Sequence, residues 1–234
     1  MMVTSEQKHV IDCVLAIFET GKIPTTAAYS TCTVLSDGAG ISYGKHQATD
    51  KSGSLDLVSK RYVKLNGIHA EALSDYLPQL SSNESTKINP KEIYPEWLNQ
   101  LIELLKTAGA DPLMQQAQDE IFDELYWLPA VKIATEIGLQ TALGQLTIYD
   151  TCIHSGAGNV SKIRKLFPEA APVNGGDEKT WVLAYIAARK NWLQTRENPI
   201  VHKTVYRMDE LKKIADADNW NLKTPLIVRK VKIV

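Results

Sequence analysis

The sequence predicts a mainly helical protein with one small β-hairpin near its N-terminus. Apolar residues recur at helical spacing through most of the 234 residues. A Gly-rich turn, "SDGAG", separates two short β-prone runs within residues 30–44. The chain is 44% apolar and 23% charged, which is ordinary for a globular protein with its own hydrophobic core.

The first helix has a clear start and end in the sequence. Thr4 with Gln7 forms a capping-box pattern, and Gly21 followed by Pro24 predicts termination. The apolar face between these signals contains Val10, Ile11, Val14, Leu15 and Phe18.

Most of the remaining chain also has helical periodicity. Residues 130–153 are apolar on nearly every face, which predicts a single buried central helix. The last segment, "TPLIVRKVKIV", is predicted to be extended. Further helices are predicted at 53–66, 69–80, 92–107, 112–127, 160–167, 178–197 and 207–217.

Composition excludes several classes of function. A net charge of −1 argues against a general polyanion binder, so no nucleic-acid partner is expected. The cysteines Cys13, Cys32 and Cys152 are widely spaced and form no CxxC pair, which predicts neither a zinc site nor a disulfide framework. No cofactor or metal is expected.

The N-terminal region also carries a prediction about localisation. It includes Glu6 and Asp12 and has helical periodicity, unlike a signal peptide. No run approaches the ~20 apolar residues of a membrane span. We therefore expect synthesis in the cytoplasm without a signal peptide or a transmembrane segment.

Two carboxylates stand at conspicuous positions. Glu19 lies at the predicted end of the first helix, and Asp37 lies in the turn that also contains Gly38 and Gly40. Glycoside hydrolysis uses one acid to protonate the leaving group and a second to activate water. Glu19 suits the first role and Asp37 the second, with the Ser42 hydroxyl available to orient the water. Their spacing alone is equally compatible with a surface Glu and an ordinary Asp-Gly turn.

The segment around these acids resembles a known family. "FETGKIPTTAAYSTCTVLSDGAGISYG" is similar to the catalytic segment of glycoside hydrolase family 46 chitosanases, which have a Glu and an Asp at the same separation. Four further segments follow in the same order and extend the resemblance over almost the whole chain: "MQQAQDEIFDELYWLPAV", "LGQLTIYDTCIHSGAGN", "GGDEKTWVLAYIAARK" and "NWNLKTPL".

The resemblance implies a lysozyme-like α+β fold that is mainly α. It would form a single catalytic domain over residues 1–234, with two helical lobes and a small β-hairpin sheet lining a central substrate cleft. Glu19 would be the general acid and Asp37 the general base of an inverting, endo-acting hydrolysis, and Ser42 falls where the family has a water-orienting Thr. Asp150, Arg189 and Arg207 match family residues that form a buried charge network reaching the catalytic Glu.

Departures from the family bear on the substrate. Ala39 stands where the chitosanases have an Arg. The acidic residue with which they hold the cationic glucosamine ring falls near Ser54 or is absent from this chain. Tyr43 in the hairpin and Lys45 and His46 just after it are predicted to contact substrate. Positive charge at Lys45 and His46 could meet the lactyl-peptide carboxylates of muramic acid. These features favour a peptidoglycan-cleaving lysozyme of the phage-endolysin or effector type.

Two alternatives remain open at this stage. A true chitosanase would need acids such as Asp50, Asp56 and Glu197 to bind amines, and Glu197 follows Arg189 at a spacing similar to the family's substrate-binding Glu. A catalytically inactive glycan-binding module is the other alternative.

The expected partner is a polysaccharide, either peptidoglycan or chitosan, and the expected oligomeric state is a monomer. The peptidoglycan interpretation would involve action on the cell wall or in the periplasm after release. An immunity protein or a holin-type delivery factor would then be a partner. The chitosan interpretation would place the activity outside the cell.

Overall fold

The computed structural model describes residues 3–89 and 91–234. Contacts between residues divide this part of the chain into two compact units. The first unit contains the described residues up to Ile23 together with Tyr126–Val234, and the second contains Pro24–Leu125. Glu19 therefore belongs to the first unit and Asp37 to the second.

The described residues are mainly helical. In chain order the α-helices are α1 (Ser5–Thr20), α2 (Ser54–Lys64), α3 (Ala70–Ser74), α4 (Leu77–Ser81), α5 (Glu96–Ala108), α6 (Pro112–Phe122), α7 (Leu128–Ile137), α8 (Ala142–Ser155), α9 (Gly158–Arg164), α10 (Glu178–Gln194), α11 (Pro199–His202) and α12 (Tyr206–Asp216). The strands are β1 (Cys32–Leu35), β2 (Gly40–Tyr43), β3 (Ala48–Thr49), β4 (Leu226–Val228) and β5 (Val231–Ile233). Short 3-10 helices cover Thr26–Ser30, Glu84–Lys87 and Pro172–Asn174, and a π-helical turn, Asp123–Trp127, joins α6 to α7.

The first unit is built around α8. Every residue of Ala142–Cys152 is buried, so this helix has no solvent face over three turns. Helix α10 packs against it, where the Tyr185 hydroxyl donates to the Thr151 hydroxyl at 3.2 Å. Helix α1 adds its apolar face to the same core, with Val10, Ile11, Val14, Ile17 and Phe18 all buried.

The second unit combines helices with a three-stranded antiparallel sheet in the order β1-β2-β3. Ser42 on the central strand pairs with Thr33 on one side and with Thr49 on the other. The core of this unit includes Ile41 and Tyr43 of β2, packed with apolar residues of α2, α5 and α6. Each unit thus has its own hydrophobic core.

Local signals predicted the regions around both acids correctly. Thr4 and Gln7 form a complete capping box at the start of α1, and Gly21 ends the helix in the left-handed conformation at φ 76°. Strands β1 and β2 form the predicted hairpin. The extended tail is also present, and it folds back on itself as the β4–β5 hairpin.

The prediction of one helix over 130–153 is wrong. Helix α7 ends at Gly138, whose φ of 90° breaks the helix, and Thr141 caps the start of α8 by accepting the N–H of Gly144. Helix α8 is buried from Ala142 to Cys152, whereas in α7 only Ala130 and Ala134 are buried. The predicted helix at 69–80 is also divided, into α3 and α4, with Pro78 in the first turn of α4.

Within residues 3–89 and 91–234, none of the helices combines the length and the apolar character that a membrane crossing requires.

Candidate active site

Glu19 lies in the last turn of α1, as the sequence predicted, and its side chain is 47% exposed. Arg207, at the start of α12, donates from Nη2 to Oε1 of Glu19 at 2.5 Å. The Arg207 guanidinium also lies over the Phe18 ring, 5.4 Å from its centroid. A half-exposed carboxylate is therefore fixed by a guanidinium that is itself buried.

The three predicted network residues do come together behind Glu19. Arg207 donates from Nη1 to Oδ1 of Asp150 at 2.6 Å, and Arg189 donates from Nη1 to Oδ2 at 2.5 Å. The side chains of Asp150 and Arg189 are fully buried. Burial alone would raise the pKa of Asp150, but the two arginines hold it below its usual range. The two buried guanidinium groups share one buried carboxylate, and Arg207 also contacts the half-exposed side chain of Glu19.

His154 joins this network and was missed by sequence reasoning. Its Nδ1 lies 3.4 Å from Nη2 of Arg189 and 3.1 Å from Oγ of Ser155. Burial and the nearby charges of Arg207 and Arg189 lower the pKa of His154 to about 4, so its imidazole is neutral near pH 7. The available signal was the spacing of four residues from Asp150, which places both side chains on one face of α8.

Asp37 lies in the exposed turn between β1 and β2, as predicted. Its Oδ1 accepts the backbone N–H of Ala39 at 3.0 Å, an Asx-type turn contact. Gly38 and Gly40 have φ values of 79° and 71°, which other residues rarely adopt. The turn chemistry of the sequence thus explains how the carboxylate is presented to solvent.

Asp50 and Ser85 anchor this hairpin at the end next to its turn. Asp50 Oδ2 accepts hydrogen bonds from Ser85 N–H at 3.1 Å and from Ser85 Oγ at 2.6 Å, and Ser85 Oγ accepts the N–H of Ile41 at 2.9 Å. A Cβ on Gly40 would lie 2.3 Å from Ser85 Oγ, so the chains approach closely here. The sequence analysis did not identify Ser85, because its partner Asp50 lies 35 residues away along the chain.

The structure corrects the prediction for Asp50 as an amine-binding acid. Only 1% of Asp50 is exposed, and burial raises the pKa of its carboxyl despite the bonds from Ser85. Asp56 is also engaged, because it accepts from Lys60 at 2.6 Å and from Ser81 at 2.8 Å. Glu197 lies in an exposed loop after α10 and has no ion pair with the described residues.

The residues of β2 differ in what they can contact. Ser42 is buried at 7% exposure on the strand that follows the Asp37 turn. Tyr43 is 1% exposed, and its hydroxyl donates to the carbonyl of Leu105 at 2.7 Å within the core. The prediction that Tyr43 contacts substrate is therefore wrong, because side chains alternate along a strand and this one points into the core.

Lys45 and His46 are not available as free cations. Lys45 Nζ lies 3.0 Å and His46 Nε2 lies 2.7 Å from the same atom, Oδ1 of Asp119. The Tyr29 hydroxyl donates to the other oxygen, Oδ2, at 2.6 Å. Burial alone would raise the pKa of Asp119, but its bonds to His46 and Tyr29 and the charge of Lys45 hold it well below its usual range.

The predicted contact of Lys45 and His46 with an anionic substrate is thus contradicted. Both side chains contact Asp119 within the protein, and the His46 ring also stacks on Phe122 with centroids 3.9 Å apart. Asp119 is more than 70 residues further along the chain, which is why the sequence did not reveal the pairing. Within residues 3–89 and 91–234 no group of three or more His, Cys, Asp or Glu side chains is arranged to hold a metal ion.

Sequence comparison identifies the class of protein as a glycoside hydrolase. The model of Glycosyl hydrolase family 46 matches residues 13–226, and the chain belongs to that family. A chitosanase of Bacillus subtilis (strain 168) is 31% identical, with 96% of this chain and 82% of the relative aligned. A chitosanase of Nocardioides sp. (strain N106) is 32% identical over 89% of this chain and 73% of the relative.

Solved structures agree with this assignment. The native chitosanase from Bacillus subtilis MY002 matches with a TM-score of 0.78 and 27% identity, over 99% of each chain. A family 46 chitosanase from Gynuella sunshinyii, solved in complex with chitotetraose, matches with a TM-score of 0.76 and 26% identity, over 99% of this chain and 98% of the relative. These matches confirm the predicted fold class, a mainly α, lysozyme-like α+β fold with a small antiparallel sheet.

Proposed function

We propose that this glycoside hydrolase is a chitosanase, an endo-acting and inverting enzyme that cleaves the β-1,4-linked glucosamine polymer. The observation that carries the proposal is the match to Glycosyl hydrolase family 46 over residues 13–226, together with chitosanases as relatives at 30–32% identity. The relative from Gynuella sunshinyii was solved with a glucosamine oligomer, which supports the same class of ligand here.

The proposed chemistry uses two acids, Glu19 and Asp37. Glu19 donates a proton to the glycosidic oxygen as the bond from that oxygen to the anomeric carbon breaks. Asp37 takes a proton from a water molecule that attacks the anomeric carbon from the opposite face, so the product has inverted configuration. The Ser42 hydroxyl, on the strand that begins three residues after Asp37, is proposed to orient that water.

Arg207, Asp150 and Arg189 support this role of Glu19 by position. The contact of 2.5 Å between Arg207 and Glu19 restricts the side chain to one orientation, and Asp150 holds Arg207 from behind. Because the network is buried, its bonds are strong and its geometry is costly to change. We propose that Glu19 is thereby held ready for a substrate.

A cationic polymer needs acidic groups at the surface that binds it. Of the three acids that sequence analysis offered for this role, Glu197 is exposed and has no ion pair within residues 3–89 and 91–234, and we propose it as an amine-binding residue. The alternative substrate, peptidoglycan, gains no support from the relatives, and its main argument weakened when Lys45 and His46 were found paired with Asp119.

The test is a parallel assay on soluble chitosan and on purified peptidoglycan with wild type, Glu19→Gln and Asp37→Asn. We expect reducing ends from chitosan only, with inverted anomeric configuration. Each variant should lose activity by roughly 1000-fold, because each lacks its proton donor or acceptor. Unchanged circular dichroism and thermal midpoint in both variants would show that the fold is intact.

Release of reducing ends from peptidoglycan alone would overturn the substrate proposal and leave the chemistry standing. Retained configuration in the product would overturn the assignment of Asp37 as general base. Near-wild-type turnover in Glu19→Gln would overturn the assignment of the general acid.

A further inference from the structure

The C-terminal hairpin has an unusual turn. Strands β4 and β5 are in register with Val228 opposite Val231, so the loop contains only two residues, Arg229 and Lys230. Their φ values are 47° and 70°, the pattern of a type I′ turn. This turn favours Asn-Gly because side chains other than Asn and Asp are strained at positive φ. The local geometry therefore does not account for an arginine at position 229.

The tertiary contacts of Arg229 do account for it. Its guanidinium lies over the Tyr206 ring, 4.2 Å from the ring centroid. Its Nη1 is 3.4 Å from the carbonyl oxygen of Ile17, and its backbone N–H donates to Oε2 of Glu210 at 3.0 Å. The strained turn thus places one cation against the end of α1 and the start of α12.

Tyr206 in turn contacts the last turn of α1 directly. Its hydroxyl donates to the carbonyl of Phe18 at 2.5 Å, and the two rings pack edge to face with centroids 6.0 Å apart. The last four carbonyls of a helix lack partners within the helix, so such contacts determine whether the end is ordered. Phe18 is the residue immediately before Glu19, and Arg207, which binds Glu19, immediately follows Tyr206.

We propose that Arg229 is a positioning residue for Glu19 and acts through Tyr206. Arg229 covers the ring of Tyr206, Tyr206 holds the Phe18 carbonyl, and the backbone of Glu19 is thereby held where Arg207 meets its carboxylate. Catalytic groups lose efficiency when displaced by a fraction of an ångström, so a looser helix end reduces turnover. This inference rests on the proposed function, in which Glu19 is the general acid.

The turn itself offers a sharp test, because Asn-Gly suits it better than Arg-Lys. The double variant Arg229→Asn/Lys230→Gly removes the guanidinium while relieving the backbone, and Lys230→Gly alone is the matched control that keeps Arg229. In the control we expect unchanged kcat and KM on chitosan and a thermal midpoint no lower than wild type. In the double variant we expect the same midpoint, a kcat about 5- to 10-fold lower, and an unchanged KM.

A wild-type kcat in the double variant would overturn the proposal. So would a loss of kcat accompanied by a lower thermal midpoint and a changed KM, since that would assign Arg229 a purely structural role.

Tyr206→Phe provides a second, independent test because it removes only the hydroxyl that holds the Phe18 carbonyl. We expect a severalfold lower kcat with an unchanged KM, and a wild-type kcat would contradict the proposal. Glu19→Gln separates the two levels of inference. If Glu19→Gln is active, the proposed function fails, whereas an inactive Glu19→Gln beside a fully active double variant refutes only the positioning role.

Discussion

The carboxylate of Glu19 accepts a hydrogen bond from a buried arginine, whereas the carboxylate of Asp37 bonds to the backbone of its own exposed turn. Behind Glu19 stand Arg207, Asp150 and Arg189, which come from three separate helices. Asp37 needs no distant charge for its local geometry, because an Asx contact and two glycines at positive φ define the turn.

Glu19 is held by side chains from distant parts of the sequence, whereas Asp37 is held by residues of its own turn. The ion network near Glu19 joins charges that would be very costly to bury singly, so its members depend on one another. The Asp37 hairpin is held by hydrogen bonds beside its turn, where Asp50 and Ser85 meet the first residues of β2. Damage to the first region should therefore cost more stability than damage to the second.

The largest expected effect comes from Asp150→Asn. The change leaves the fully buried Arg189 and the almost fully buried Arg207 without their shared carboxylate. We expect a loss of about 3–5 kcal/mol in the free energy of unfolding, together with a large loss of activity. Denaturant unfolding and a chitosan assay measure the two quantities.

The matched control is Asp209→Asn, which breaks the half-exposed ion pair between Asp209 and Lys190. We expect a change of about 1 kcal/mol or less, because surface pairs are screened by water. Equal losses in the two variants would contradict the interpretation of the buried network as a mutually dependent unit.

An intermediate effect is expected for Ser85→Ala. The variant leaves the buried N–H of Ile41 without its acceptor and removes one of the two bonds from Ser85 to Asp50. We expect a loss of about 1–3 kcal/mol in unfolding free energy and a severalfold lower kcat, because the hairpin loosens beside the turn that carries Asp37. Ser82→Ala, which changes an exposed hydroxyl, serves as the control and should match wild type. A wild-type kcat in Ser85→Ala would contradict the role of Ser85 in anchoring the hairpin that carries Asp37.

The prediction with the smallest effect at neutral pH concerns the pH dependence of the network around Glu19. His154 has a pKa of about 4 in the folded protein and an ordinary value of 6.5. Between these values the unfolded chain binds a proton that the folded protein does not, so stability falls as pH falls from about 6.5 to about 4. Thermal midpoints measured across this range should decline less in His154→Asn than in wild type. His202→Asn is the control and should keep the wild-type slope; identical slopes in all three proteins would contradict the role given to His154.

Much of the fold and of the candidate site could be predicted from the sequence because the relevant signals are local. The capping box at Thr4 and Gln7, the stop at Gly21 and the Gly-rich turn around Asp37 act within a few residues. They place Glu19 at a helix end and Asp37 in an exposed turn without reference to the rest of the chain. The predicted network of Asp150, Arg189 and Arg207 came from resemblance, and the structure brings these residues together.

Other properties were decided only by the tertiary structure, because they depend on which distant side chains meet. Lys45 and His46 look like free basic residues in the sequence, and only packing against α6 shows that both contact Asp119. Tyr43 looked available for a ligand until its hydroxyl was found at the carbonyl of Leu105 in the core. Such pairs form between residues that are far apart in the sequence, so local sequence patterns do not predict them.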